Sequence, residues 1–157
     1  MEKVILGADF LGFELKNIVK NHLEKKGHEI IDVGMYSLDK EIPYYEVAAA
    51  AAKKIQNKEA DRAILFCGTG MGVSIVANKF KGIYASVIES EYTAKMCKVI
   101  NNSNVLTMGG RIISPFKAIT AVDLWLDAVL TVGMDDASDF LKSALVEIGK
   151  IEDENFK

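Results

Sequence analysis

Short apolar segments typical of β-strands alternate with amphipathic helical segments along the chain, and this alternation constrains the fold more than any other feature. The predicted strands are 4–8, 29–33, 63–67, 84–88 and 104–108. Apolar spacing predicts helices at 12–26, from Pro43 to about 57, at about 70–79, at 91–100, at about 114–130 and from about 135. Such βαβ units join parallel strands by right-handed crossovers. We therefore expect an α/β fold, a three-layer α/β/α Rossmann-like sandwich with a five-stranded parallel sheet.

Length and composition favour one domain spanning residues 1–157, in which the helix from about Asp135 makes an oligomer contact or forms a frayed tail. The net charge of −3 excludes a typical nucleic-acid binder, because no basic excess can neutralise phosphates. No apolar stretch is long enough for a membrane span, and no signal peptide is visible. The two cysteines form no C-x-x-C pair. We expect a cytoplasmic protein without membrane contact.

Polar residues follow several of the predicted strands. In parallel α/β sheets, ligands bind beyond the carboxyl ends of the strands. Asp9 follows the first strand, Cys67–Gly72 follows the third, and Asn101 through Arg111 surrounds the fourth and fifth. We expect these segments to converge on one site, although the fold alone does not name a reaction.

The segment from Ile64 to Ser74, Ile-Leu-Phe-Cys-Gly-Thr-Gly-Met-Gly-Val-Ser, brings a cysteine to a glycine-rich turn before a helix. Backbone N–H groups of such a turn can hold an anion, and a helix N-terminus favours a thiolate. One group could take a proton from carbon while the others hold the resulting negative charge. Two alternatives remain open: the glycines serve only a tight turn, or Cys67 is a buried apolar residue. The turn matches a dinucleotide-binding loop poorly and lacks the Gly-Lys-Ser/Thr of a nucleotide-phosphate loop.

The remaining polar candidates each have a structural alternative. Asp9 could bind substrate hydroxyls or cap the helix that follows it. Asn101 could bind substrate or be an ordinary turn residue. Arg111 could bind an anion or form a surface ion pair. His22 and His28 are expected to be structural, so no metal site is predicted.

Several segments together resemble the sugar-phosphate isomerases of the ribose-5-phosphate isomerase B and galactose-6-phosphate isomerase (LacA/LacB) type. The resemblance extends over roughly residues 1–130. The matching segments are Gly7-Ala8-Asp9, Gly12 to Lys16, Gly27 to Gly34, Cys67 to Gly72, Ala77-Asn78-Lys79, Asn101, Asn104-Val105-Leu106 and Gly109-Gly110-Arg111.

The resemblance implies an aldose–ketose isomerase that works through a cis-enediolate, with no cofactor and no metal. It implies a homodimer or tetramer with sites at subunit interfaces. Cys67 would be the catalytic base, and Thr69 would assist ring opening or hold a hydroxyl. The residues that would contact the sugar or sugar phosphate are Asp9, Gly68, Gly70, Met71, Gly72, Asn101 and Arg111.

Departures from the family pattern concern ring opening and phosphate binding. Phe10 replaces a phosphate-binding histidine, and Ile100 replaces the histidine that opens the sugar ring. The basic tail of the family is acidic here, with Asp135 and Asp136. We therefore expect a substrate other than standard ribose 5-phosphate, one that needs no ring opening. Two alternatives stay open: a LacB-like subunit completed by a related second chain, or a non-catalytic sugar-binding homologue.

Overall fold

The fold is a five-stranded parallel sheet covered by helices on both faces. A computed structural model describes residues 1–156 of the chain. The strands are β1 (Lys3–Ala8), β2 (Glu29–Asp32), β3 (Arg62–Cys67), β4 (Ala85–Val87) and β5 (Val105–Gly109). The helices are α1 (Phe13–Lys25), α2 (Tyr44–Gln56), α3 (Met71–Ala77), α4 (Glu91–Asn101), α5 (Pro115–Asp127) and α6 (Ser138–Asn155), and a 3-10 turn, Asp135–Ala137, precedes α6. The predicted fold class is confirmed.

The strands are all parallel and lie in the order β2-β1-β3-β5-β4. The chain adds β2 on one side of β1 and the later strands on the other side. From β1 the chain crosses to β2 on one side, whereas β3 lies on the other side of β1. Right-handed crossovers therefore place α1 and α2 on opposite faces. A crevice opens at the carboxyl ends of β1 and β3, because the helices that follow these two strands lie on opposite faces of the sheet. Such a crevice is expected at a topological switch point.

Alternate residues of each strand face two separate cores. Val4, Leu6, Ile64 and Phe66 pack with α1, α4 and α5, and Trp125 fills the middle of that layer. The residues between them in sequence, such as Ile5 and Leu65, pack with α2 and α3 on the other face. Because the sheet is covered on both faces, its strands are continuously apolar rather than alternating.

Differences from the predicted boundaries have local causes. Ser114 caps α5 by accepting a hydrogen bond from the Lys117 N–H at 3.4 Å, and Pro115 occupies the first turn. Helix α5 ends at Asp127, earlier than predicted, because Ala128 has extended backbone angles (φ −71°, ψ 140°).

The C-terminal helix α6 continues to Asn155, and its last turns are attached to the loop before β4. Glu152 accepts hydrogen bonds from the Gly82 N–H at 2.7 Å and the Tyr84 hydroxyl at 3.0 Å. Phe140 and Ile151 of α6 remain largely exposed. The oligomer contact predicted for this segment stays a prediction. No helix within residues 1–156 combines the length and the apolar character needed to cross a membrane.

A buried ion pair connects α1 to the end of β2. The Lys16 ammonium is completely buried and donates to both oxygens of Asp32, at 2.8 and 3.0 Å, and to the Met35 carbonyl. Burying a charge is costly unless it is paired and hydrogen-bonded, and here these three oxygens satisfy the ammonium. The pair fixes the start of the loop between β2 and α2, which borders the crevice.

Lys16→Met is expected to destabilise the protein by about 3–5 kcal/mol, because it leaves the Asp32 carboxylate buried with little compensation. Lys20 also contacts Asp32, at 3.4 Å, but its side chain is 30% exposed. Lys20→Met should therefore cost less than about 1 kcal/mol. Urea denaturation of both variants measures the difference, and equal costs would show that burial of Lys16 does not matter.

Candidate active site

The turns after β1 and β3 lie side by side at the carboxyl edge of the sheet. These strands pair in parallel, with Ala8 opposite Phe66, so the residues that follow them are neighbours. The Asp9 N–H donates to the Phe66 carbonyl at 3.3 Å, which holds Asp9 beside Cys67. The structure thus brings these two predicted site residues together.

The Cys67 thiol is buried, with the residue 5% exposed, and is fixed by the glycine turn. The Gly70 N–H donates to Sγ at 3.1 Å and holds the sulfur against the turn. Gly70 has φ +79°, a left-handed conformation that side-chain-bearing residues rarely adopt. That conformation turns the chain into α3 and aims the Gly70 N–H at the sulfur.

Several other N–H groups of this turn have no partner inside the protein. Within residues 1–156, those of Gly68, Thr69 and Gly72 make no hydrogen bond, and that of Met71 reaches only the Thr69 hydroxyl, at 3.4 Å. Unsatisfied N–H groups that converge beside a helix start form an anion-binding site. The turn can therefore stabilise an oxyanion next to the thiol.

The turn after β5 supports the cysteine turn from its other side. The Gly110 N–H donates to the Cys67 carbonyl at 2.8 Å, and the Arg111 N–H donates to the Gly68 carbonyl at 3.1 Å. A Cβ at position 110 would lie only 2.3 Å from the Leu11 carbonyl oxygen, so only glycine allows this approach. Arg111 is thereby carried to the same edge as Cys67.

Asp9 both caps a turn and faces a cavity. Its Oδ1 accepts a hydrogen bond from the Gly12 N–H at 3.0 Å. Burial raises the pKa of the Asp9 carboxyl, and the Glu41 carboxylate raises it further, while N–H donors from Gly12 and Leu11 oppose the shift. A cavity of about 380 Å³ opens beside it, lined by Asp9, Phe10, Glu41, Ile42, Pro43 and Tyr44.

Arg111 borders an adjacent groove of about 610 Å³ that is also lined by Phe10, Leu11, Leu38 and both apolar and polar residues of α1, among them Glu14. Its guanidinium forms no ion pair with any residue that the structure describes. An exposed, unpaired cation beside the crevice is suited to binding an anionic group of a ligand. The surface ion pair considered as the alternative for Arg111 does not form.

Asn101 does not join this site within one chain, contrary to the expectation from its place in the sequence. It is the last residue of α4, which starts after β4 and runs back toward the amino ends of the strands. Lys98, one turn earlier, lines a cavity there with Lys3 and Arg62. The length of β3, on the order of 17 Å, separates the two edges. Asn101 could reach a Cys67 turn only from another chain.

The cavity at this opposite edge has a volume of about 660 Å³, but it contains neither a thiol nor a glycine turn. The histidines lie elsewhere: His22 contacts Asp123 at 2.9 Å, and His28 accepts from the Glu2 N–H at 3.4 Å. Residues 1–156 contain no group of three or more potential metal ligands. Of the two edges, the one that carries Cys67 is the one that combines a thiol with a glycine turn.

Two residues that the sequence did not single out, Glu41 and Tyr44, line the cavity beside Asp9. They lie in the aperiodic loop before α2 and at its first turn, where no hydrophobic pattern indicates orientation. The Tyr44 ring also lies 2.8 Å from where a Cβ on Gly72 would be, so it covers the cysteine turn. The one feature of the sequence that pointed to this region was Pro43, which indicates where α2 begins.

Comparison with known proteins gives consistent results. Residues 4–142 match the model of the Ribose/Galactose Isomerase family. The chain is 44% identical to 4-deoxy-4-sulfo-D-erythrose isomerase of Clostridium sp. (strain MSTE9), covering 99% of this chain and 98% of that protein. It is 40% identical to D-erythrulose-4-phosphate isomerase 2 of Mycolicibacterium smegmatis, over 79% of this chain and 83% of the other. The solved ribose-5-phosphate isomerase B of Clostridium thermocellum superposes with a TM-score of 0.87 at 34% identity, covering 97% and 98% of the two chains.

Asp9→Asn should raise the melting temperature at pH 7 by a few degrees, because the raised pKa of Asp9 means that its charged form is disfavoured in the folded state. The amide keeps the Oδ1 acceptor for Gly12. Below the ordinary aspartate pKa of 3.8 the carboxyl is protonated in the folded and the unfolded chain, so the gain should disappear there. Thermal denaturation between pH 3 and 8 tests this, and a variant less stable at pH 7 would contradict it.

Proposed function

The chain belongs to the ribose/galactose isomerase family of sugar-phosphate isomerases, and from this we propose that it interconverts a four-carbon aldose and its ketose, each with an anionic group on C4. Cys67 acts as the base, and the reaction passes through a cis-enediolate. The observation that carries the proposal is the buried Cys67 Sγ, which accepts the Gly70 N–H at 3.1 Å beside the free N–H groups of its own turn.

The proposed chemistry moves one proton between neighbouring carbons. The Cys67 thiolate takes the proton from C2 of the aldose, and the electron pair shifts to the C1 carbonyl oxygen to give the enediolate. The N–H groups of Gly68, Thr69 and Gly72 hold the resulting oxyanion. The thiol then returns the proton to C1, while the proton of the C2 hydroxyl passes to O1 and the C2 oxygen becomes the carbonyl. Substrate and product are isomers, so the reaction as proposed requires no cofactor.

Four-carbon substrates fit the loss of a ring-opening histidine at Ile100. An aldose closes a five-membered ring through its C4 hydroxyl. In 4-deoxy-4-sulfo-D-erythrose this hydroxyl is replaced by the sulfonate, and in D-erythrose 4-phosphate it is esterified. Both molecules are therefore acyclic and need no ring opening. The two relatives named above are isomerases of a sulfonated and of a phosphorylated four-carbon sugar, which supports this substrate class.

Arg111 supplies the cation for the C4 group. Phe10 lines both its groove and the Asp9 cavity, so in this proposal a short acyclic substrate extends past Phe10 to the guanidinium. Its position in the groove and its lack of an ion pair among residues 1–156 support this role. A sulfonate carries a single negative charge, whereas a phosphate monoester carries nearly two at pH 7. Arg111 supplies one positive charge, which matches the single charge of the sulfonate.

A second copy of the chain completes the site in this proposal. Asn101 lies at the amino edge of its own sheet, and a partner subunit can present it to the Cys67 turn, where its amide would bind a substrate hydroxyl. Exposed apolar residues of α6, including Phe140 and Ile151, provide surface for such an assembly. The function therefore requires at least a homodimer.

Cys67→Ala should lower kcat/KM on 4-deoxy-4-sulfo-D-erythrose or D-erythrose 4-phosphate by about 10³-fold or more, because the base is lost. Cys97→Ala is the matched control, since Cys97 is a half-buried residue of α4 away from the site. The wild type should also act far more slowly on D-ribose 5-phosphate. Coupled assays with the three substrates measure this, and full activity in Cys67→Ala would refute the assigned base.

Mixing Cys67→Ala with Asn101→Ala should restore activity if the site spans two chains. Each variant alone should be nearly inactive. Random reassociation makes half of the dimers mixed, and one of the two sites in each mixed dimer is intact, so about a quarter of wild-type activity is expected. Activity is assayed after the mixture has been dissociated and reassembled. An inactive mixture, although size-exclusion chromatography shows mixed dimers, would place Asn101 outside the shared site.

A further inference from the structure

Two carboxylates, Asp9 and Glu41, line the same small cavity next to the cysteine turn. The cavity encloses about 380 Å³, and its other lining residues are Phe10, Ile42, Pro43 and Tyr44. None of these residues carries a positive charge. The two acids lie close enough for the Glu41 charge to raise the pKa of Asp9. Two neighbouring negative charges repel each other. A ligand that donates hydrogen bonds to both carboxylates would reduce this repulsion.

Glu41 has no structural role within the described residues. Its side chain forms neither an ion pair nor a hydrogen bond there, unlike Glu59 or Glu152, which are both engaged. Asp9, in contrast, is engaged by backbone donors: its Oδ1 accepts the Gly12 N–H at 3.0 Å, and a hydrogen bond from the Leu11 N–H also lowers its pKa. Two donors leave part of the acceptor capacity of this carboxylate unused, so the cavity offers acceptor oxygens from two different segments of the chain.

The loop that carries Glu41 is fixed at both ends. Near its start the Met35 N–H donates to the Ala8 carbonyl at 3.0 Å, and the buried Lys16 ammonium holds the Met35 carbonyl. At its end, Pro43 precedes the first turn of α2 with φ −64°. A fixed loop keeps Glu41 near Asp9 before ligand arrives, which lowers the cost of ordering the site.

We infer that Glu41 is a substrate-binding residue that accepts a hydrogen bond from the C3 hydroxyl of the four-carbon substrate, opposite Asp9. This inference rests on the proposed function. In that reaction O1 and O2 are held at the cysteine turn, and C4 carries the anion toward Arg111. The C3 hydroxyl is the remaining donor, and it lies midway along the chain, where the two carboxylates are located. Ionised carboxylates are strong acceptors for such a hydroxyl.

The pair also explains selection against substrates without this hydroxyl. A site built to bind a hydroxyl rejects the analogue that lacks it, because its polar groups are then left unpaired. Here the penalty falls mainly on the partly buried Asp9 carboxylate, because Glu41 is exposed and can be hydrated.

A thermodynamic cycle with non-reacting ligands tests the inference independently of turnover. The probes are D-erythritol 4-phosphate and butane-1,2,4-triol 4-phosphate, which differ in the C3 hydroxyl, and calorimetry gives their Kd values. Glu41→Ala should weaken binding of the first probe about tenfold and leave the second nearly unchanged. Asp39→Ala, an exposed acid of the same loop outside the cavity, should bind both probes as the wild type does.

The outcomes separate this inference from the proposed function. Equal weakening of both probes by Glu41→Ala, no weakening of either, or no binding of erythritol phosphate to the wild type would each overturn the role of Glu41. Glu41→Gln keeps an acceptor oxygen and should bind erythritol phosphate more tightly than Glu41→Ala does. A folded Glu41→Gln variant that binds no more tightly than Glu41→Ala would also count against the role of Glu41. A different result would disprove the proposed function and leave the role of Glu41 intact. In that case Glu41→Ala would selectively weaken binding of the probe with the C3 hydroxyl, but the wild type would isomerise no four-carbon substrate.

Discussion

The parallel pairing of β1 with β3 is the constraint on which the rest of the structure depends. Because these strands are adjacent and the helices that follow them, α1 and α3, lie on opposite faces, a crevice forms between the helices while the turns stay side by side. The same pairing sets Asp9 beside Cys67. Moving either strand to another position in the sheet would separate the acid from the thiol, whatever residues the turns contained.

Close contact between backbones then determines how precisely the site is built. The turns after β1, β3 and β5 meet without intervening side chains, as the Gly110 approach to Leu11 shows. Hydrogen bonds from Gly110 and Arg111 to the cysteine turn connect all three. This packing leaves N–H groups of the turn free for a ligand. Rigid donors that need no rearrangement are what an oxyanion site requires.

Charge is distributed unevenly around the crevice. The cavity next to Asp9 and Glu41 carries negative charge, and the groove on the other side of Phe10 carries Arg111. A short acyclic molecule with hydroxyls at its centre and an anion at one end matches this order. A compact charged ring would satisfy fewer of these groups. The charge distribution around the crevice and the replacement of the ring-opening histidine by Ile100 thus both favour an acyclic substrate.

The sequence by itself determined the five strands, the parallel sheet and the Cys67 turn, because hydrophobic periodicity and glycine placement are local properties that the fold preserved. It did not determine that Asn101 lies at the opposite edge, since a residue near a strand in sequence can end a helix that runs back across the sheet. It also missed Glu41, because an aperiodic loop carries no signal of direction. Only the tertiary structure decided these positions, through the crossovers and through the anchors at Met35 and Pro43 that hold the loop over the crevice.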